Sequence, residues 1–297
     1  MFNRPSLYER FPLYKSRQGH QAVMAYYESV LQHWPVPVES LTITTRYGPT
    51  HLLTAGSPSA PALLLFHGQG DTALLWKPVF ASLAQRYRLY APDIIGQPGK
   101  SAPVRLLYKG SRYDEWLQDL YDGLHIVQAD VMGLSLGGYL ALRLGMVAPE
   151  RVGRMILIAP AGMARVKLSG IIQLLPVGLF PSRTTCRWFM EHDGVPVSDQ
   201  AVEWPYLMAK HFIPSGPPPL FSGDELRRIA APVSLLVGQR DLLFNADAIV
   251  RRAHKHLPNL VTANIIPQSG HNLIRERPEI VEASALGFLS SATFSIK

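Results

Sequence analysis

The sequence predicts an α/β fold: a doubly wound, mostly parallel sheet with a helical segment inserted late in the chain. Three observations lead to this reading. Short uninterrupted apolar runs, residues 62–66 above all, have the character of strands buried on both faces. These runs alternate with segments of helical spacing, the pattern of strand–helix–strand units. A proline-rich stretch, residues 162–223, breaks the alternation, which then resumes.

Residues 18–34 place Val23, Tyr27, Val30 and Trp34 on one helical face, closed by Pro35 and Pro37. Residues 41–47 and 51–55 read as an antiparallel pair turning at Gly48-Pro49. After strand 62–66 come a glycine-rich turn at 67–71, a helix over 72–87 and a strand over 90–94. A helix over 113–127, a short strand over 130–132 and a helix over 136–147 follow. Leu136, Leu140, Leu144 and Val147 share one face of the last helix. Strand 155–158 precedes the insertion, which contains Pro176, Pro181, Pro196, Pro205, Pro214 and a run at 217–219 among large apolar residues. It reads as helical. The alternation resumes with strand 233–237, helix 245–256, strand 261–266 and helix 278–289.

Composition removes several classes of function. With 297 residues the chain can bury a large core, as one large domain or two modest ones. A hydrophobic share of 47% against 17% charged residues excludes intrinsic disorder. The one cysteine, Cys186, excludes an intramolecular disulfide framework and a cysteine-based metal cluster. The net charge of +7 is dispersed, and its densest spots, Arg227-Arg228 and Arg251-Arg252, are single pairs. No nucleic-acid partner is expected. No apolar stretch approaches the ~18 residues of a membrane span. The first twenty residues carry Arg4, Arg10, Lys15 and Arg17 without the apolar centre of a signal peptide, so the expected location is cytoplasmic.

The sharpest motif is Gly133-Leu134-Ser135-Leu136-Gly137, a G-x-S-x-G between a strand and a helix. A serine on so tight a turn is held in a strained backbone conformation. Strand and helix come so close that positions two before and two after it cannot carry a β-carbon; Gly138 adds slack. The hydroxyl then projects above the sheet edge, and the helix N-terminus favours developing negative charge. The other reading is a chance glycine-rich helix start.

A serine hydroxyl needs a base, and the base an orienting acid. Of ten histidines, His271 lies in a loop between the last strand and the last helix, on the sheet rim that Ser135 occupies. Asp241 follows strand 233–237 and reaches the same rim. Asp93 is the rival acid. The chain order Ser135, Asp241, His271 is the one expected of a nucleophile elbow, and no acid follows strand 155–158. The backbone N–H groups of Gln69 and Leu136 are candidate oxyanion donors, with His67 bracing the loop that carries Gln69.

On these residues the chain resembles the α/β-hydrolase superfamily, in its esterase and lipase-like branch, over nearly all of residues 41–289. The resemblance implies a hydrolase core at 41–161 and 224–297, an inserted helical cap at 162–223, and an N-terminal helical extension at 1–40. Those forty residues fall outside the family pattern; they pack on the cap or the sheet edge, or form a homodimer contact. Asp93-Ile94-Ile95-Gly96-Gln97-Pro98-Gly99-Lys100-Ser101 resembles the family's D-x-x-G-x-G-x-S turn with one residue of difference in glycine spacing, which makes Asp93 structural. The Gly99-Lys100-Ser101 within it lacks the first glycine of a phosphate-binding loop, since position 94 is Ile94.

The expected activity is cleavage of a small-molecule, apolar carboxylic ester through an acyl-enzyme, with Ser135, Asp241 and His271 catalytic and no metal or cofactor. Thioesterases, carbon–carbon bond hydrolases, perhydrolases and peptidases share this machinery. Dehalogenases and epoxide hydrolases fit less well, because they use an aspartate where this chain has Ser135. A non-catalytic small-ligand receptor is the reading from another class. Ile171, Ile172, Leu174, Leu175, Trp188, Phe189, Trp204 and Phe212 either line an acyl pocket or form the cap's own core.

Overall fold

The computed structural model describes residues 12–193 and 197–291. Residues 1–11, 194–196 and 292–297, which belong to the expected extension, cap and core, lie outside the described residues. Ser16 opens α1 (Arg17–Leu31) by accepting a hydrogen bond from the Gly19 N–H, and the helix buries Val23 and Tyr27. Strands β1 (Glu39–Thr45) and β2 (Gly48–Ala55) form the antiparallel pair. Their turn is Arg46-Tyr47, two residues before the expected Gly48-Pro49, because Thr45 pairs with Gly48. Pro49 is tolerated inside β2 because the next strand pairs only with residues 52–55.

The parallel part follows as β3 (Ala62–Phe66), a 3₁₀ turn, α2 (Lys77–Ala84), β4 (Arg88–Pro92), α3 (Arg112–Gly123), β5 (Ala129–Leu134), α4 (Leu136–Val147) and β6 (Val152–Ile158). The expected single helix over 72–87 is split. Thr72 caps a 3₁₀ turn at Ala73–Trp76 before α2 begins. Next come α5 (Leu168–Leu179), α6 (Arg183–His192), α7 (Asp199–His211) and α8 (Gly223–Arg227). The chain closes with β7 (Val233–Gly238), α9 (Ala246–His256), β8 (Leu260–Ile266), α10 (Leu273–Glu276) and α11 (Pro278–Ser290).

The sheet has eight strands in the order β1-β2-β4-β3-β5-β6-β7-β8. β2 is antiparallel to both its neighbours, and the remaining pairs are parallel. Strand order reverses about β3, so the loops after β3 and β5 flank a switch point on the carboxyl rim. Both faces of the sheet are covered. Trp116, Tyr113 and Leu140 pack on one side, and Trp76, Phe80 and Leu83 on the other.

Helices α5 to α7 carry Pro176 and Pro205 inside α5 and α7; proline ended neither helix. Their own core is small: Cys186, Met190 and Val202. Trp204 and Leu207 pack instead on Val23 of α1. The Lys15 N–H donates to the His211 carbonyl, and Trp34 sits edge-on against Phe80 of α2. Residues 12–34 thus lie against the inserted helices and the sheet layer. The large apolar residues of the insertion divide. Trp204 and Phe212 are buried, whereas Leu168, Ile172 and Leu175 are at least half exposed. Among the described residues no helix is long and apolar enough to cross a membrane.

Asp93 is fully buried after β4 and gathers separate parts of the chain. One carboxylate oxygen accepts from the Ala73 N–H at 2.9 Å and the Tyr27 hydroxyl at 3.3 Å. The other accepts from the Lys100 N–H at 3.0 Å and faces His51 Nδ1 at 3.0 Å. An amide in its place offers acceptors to only one of these two sides. Asp93→Asn is therefore expected to lower stability by roughly 2–4 kcal/mol, given about 1–3 kcal/mol per orphaned buried partner. Urea denaturation measures this, and a loss below 1 kcal/mol would contradict the assigned role.

Candidate active site

Ser135 joins β5 to α4 with φ 53° and ψ −110°, in the left-handed region that ordinary side chains avoid. The crowding around it explains the glycines. A β-carbon on Gly137 would stand 1.8 Å from the Phe66 carbonyl oxygen, and one on Gly133 would meet Gly137 at 2.4 Å. Gly138, read from sequence as slack, is itself a packing site, since its β-carbon would meet Pro160 at 2.8 Å. The turn is tied to β6 and the loop after it: the Ser135 N–H donates to the Ile158 carbonyl, and the Ala161 N–H donates to the Ser135 carbonyl.

The loop after β3 lies beside this turn. A β-carbon on Gly68 would be 3.7 Å from Ser135 Cβ. His67 is fully buried below it. Its Nε2 accepts from the Ile94 N–H at 2.9 Å, which leaves Nδ1 to donate to the Gly68 carbonyl at 2.8 Å. Both ring nitrogens are used, and burial pushes the imidazole below its ordinary pKa. His67 is a brace. The Gly70 N–H is taken by Gln97 Oε1 at 2.9 Å. The Gln69 side chain donates to the Ser215 carbonyl, tying this loop to the segment after α7.

Asp241 and His271 meet. His271 Nδ1 lies 2.8 Å from Asp241 Oδ2, and Asp241 is 1% exposed. The other Asp241 oxygen accepts from the N–H groups of Leu243 and Phe244. Burial opposes the Asp241 charge, but His271 and these two amides outweigh it and hold the carboxyl below its ordinary range. For His271, burial pushes down, yet the charge and hydrogen bond of Asp241, with the charges of Asp193 and Glu276, raise it overall. Among the described residues, Ser135 and His271 share the rim without a hydrogen bond between them.

Two carboxylates in this site escaped the sequence reading. Glu276 of α10 accepts from the Gly270 N–H at 2.5 Å and the Asn272 N–H at 2.9 Å. Burial pushes its carboxyl up to about 7, against the Gly270 bond. Asp193, at the end of α6, accepts from the His271 N–H at 3.0 Å and the Leu242 N–H at 3.1 Å. Three consecutive amides around His271 thus end on carboxylates. Glu276 lies four residues after the N-cap Asn272, one beyond the position at which a capping-box acid would have marked it. Asp193 has no local signal, since 78 residues separate it from His271.

A mostly parallel sheet bearing a strained serine turn at its switch point defines an α/β enzyme scaffold. The chain belongs to the alpha/beta hydrolase family, whose sequence model matches residues 63–284. It is 31% identical over 273 residues to carboxylesterase YbfK of Bacillus subtilis, covering 89% of this chain and 92% of that protein. It is 28% identical to 2-hydroxymuconate semialdehyde hydrolase of Pseudomonas putida, covering 78% of this chain and 88% of that protein. The crystal structure of naproxen esterase from Bacillus subtilis superposes with a TM-score of 0.81 at 26% identity, covering 93% of this chain and 100% of that one.

A raised histidine pKa has a definite pH signature. The favourable charged form of His271 is populated below the folded pKa. Its stabilisation is fully present below about 6.5, the unfolded value, and is lost as pH rises through the higher folded value. The His271 ring, followed by NMR, is expected to titrate above 6.5 in the folded protein, and below the wild-type value in Asp241→Asn. A wild-type midpoint at or below 6.5 would contradict the assigned balance of charges.

Proposed function

We propose that the protein is a serine hydrolase that cleaves a carboxylic ester through an acyl-enzyme. The observation that carries this reading is the Asp241–His271 pair at 2.8 Å on the rim that Ser135 occupies in its strained turn. His271 Nδ1 is committed to Asp241, so Nε2 is the nitrogen that takes the Ser135 proton as the hydroxyl attacks the carbonyl. Asp241 keeps the ring in that tautomer and stabilises the imidazolium. The N–H groups of Gln69 and Leu136 hold the tetrahedral oxyanion, the second helped by the N-terminus of α4. His271 returns its proton to the leaving alcohol. It then activates water against the acyl-serine, releasing the acid and restoring Ser135. In this reading the Ser135–His271 hydrogen bond forms as substrate binds, since such catalytic bonds tighten in the complex.

In this reading residues 162–223 act as a cap over a core of residues 41–161 and 224–297. The exposed apolar residues of α5 favour an apolar small-molecule ester. The name of the carboxylesterase relative supports ester over carbon–carbon cleavage, because that match is wider and of higher identity than the semialdehyde hydrolase match. A cytoplasmic location is part of the proposal and rests on the lone cysteine.

Fluorophosphonate labelling followed by a p-nitrophenyl ester chain-length series tests the reading. Ser135→Ala is expected to abolish labelling and to lower kcat by at least ~10³, with the melting temperature within a few degrees. Retention of most activity in Ser135→Ala would overturn the nucleophile assignment. Binding of esters by the wild type without multiple turnover would favour a receptor.

A further inference from the structure

We propose that Asp193 is a positioning residue for His271, so that the inserted helices complete the acid–base pair as well as covering it. This rests on the ester-hydrolase reading above. One Asp193 oxygen accepts from the His271 N–H at 3.0 Å, and the other from the Leu242 N–H at 3.1 Å. A single carboxylate therefore bridges the loop of the base and the loop of the acid, from an element that belongs to neither.

The contact is built. Asp193 is 5% exposed. A β-carbon on Gly270 would stand 1.7 Å from the Asp193 carbonyl oxygen, so residue 270 must be glycine for the end of α6 to come this close. Asp193 is also misplaced for its own helix, since a negative charge at a helix C-terminus opposes the helix dipole. Its charge finds its partners across the gap, in the two amides. A second tether acts on the same turn. Lys167 Nζ donates to the Asp241 carbonyl, the Lys167 N–H donates to Leu243, and Gly170 of α5 abuts the Leu242 carbonyl. Both ends of the α5–α6 segment thus hold residues 241–243.

The charged groups facing His271 come from three elements: Asp241 after β7, Glu276 of α10 and Asp193 of α6. Lys167 acts at one remove, through the Asp241 backbone. Of the three carboxylates, Asp193 alone is carried by the insertion. Removing its charge leaves His271 easier to deprotonate, and removing its oxygens frees the loop.

Three measurements on the full chain test this, with Asp193→Asn and Asp193→Ala. In the resting protein, NMR titration of the His271 ring is expected to move to lower pH in Asp193→Asn by roughly 0.3–1 unit. The acid limb of kcat/KM for a neutral acetate ester should move with it. Asp193→Ala is expected to lower kcat by ~10-fold or more, with KM within about twofold, as loss of a charge-assisted contact implies. A lowered melting temperature with an unmoved His271 titration and an unmoved limb would overturn the proposal, as would kcat within twofold of wild type in both variants. If Asp193→Ala does not fold, the Asp193→Asn titration decides alone. Failure of the hydrolase reading is separate: it appears as a wild type that turns over no ester and takes no label at Ser135.

Discussion

The architecture depends on one steric constraint, the approach of the first turn of α4 to the carboxyl ends of β3 and β5. With 1.8 Å between a β-carbon at residue 137 and the Phe66 carbonyl, nothing but glycine admits the helix. The approach forces the intervening residue to φ 53°, a strain of about 1–3 kcal/mol that the surrounding packing must offset. That packing is present. Leu134, Leu136, Leu140 and Ala141 are buried on either side of the turn, and the Ser135 backbone hydrogen-bonds to the end of β6 and to the loop that follows it. Strain at Ser135 is thus over-determined by neighbours that have no chemical role.

A second constraint is electrostatic and acts on the other half of the site. Turning residues 270–272 sharply enough to present His271 leaves three successive backbone N–H groups without partners in their own loop. Glu276 takes two and Asp193 takes the third. Burial disfavours the charged form of each carboxylate, and both are displaced above their ordinary range. The same charges favour an imidazolium at His271. The geometry of the His271 loop and the proton affinity of its imidazole are therefore set by the same groups.

What was legible in the sequence follows from the range of each constraint. The elbow was readable because Gly133, Ser135 and Gly137 act within five residues, so spacing alone encodes the contact. The alternation of strands and helices was readable because burial on both faces imposes an apolar run. Local competition defeated the finer boundaries. Gly48-Pro49 looks like a turn, but Gly48 lies at φ +112° as the first residue of β2, and the register with Thr45 puts the reversal earlier. Inside residues 162–223 the sequence reading sets no helix boundaries, and Pro176 and Pro205 each sit within a helix. The Asp241–His271 pairing was reachable through topology, since strands that run parallel deliver their following loops to one rim. Asp193 was not reachable, because the docking of α6 on the rim is a tertiary event with no periodic trace.

These constraints assign the insertion a part in the site's rigidity. A loop on a sheet rim is ordinarily the least restrained part of an α/β fold. Here the turn at 241–243 is held from above by Lys167, Gly170 and Asp193 and from within by the Asp241 carboxylate. The His271 loop is held by Asp193 on one side and Glu276 on the other. Asp241 and His271 are brought to 2.8 Å by loops 30 residues apart in sequence, and Asp193 ties the two loops directly to each other. Of the three amides around His271, the middle one is thus held from the inserted segment and the outer two from α10. The inserted segment and the two rim loops are therefore one hydrogen-bonded unit in this fold.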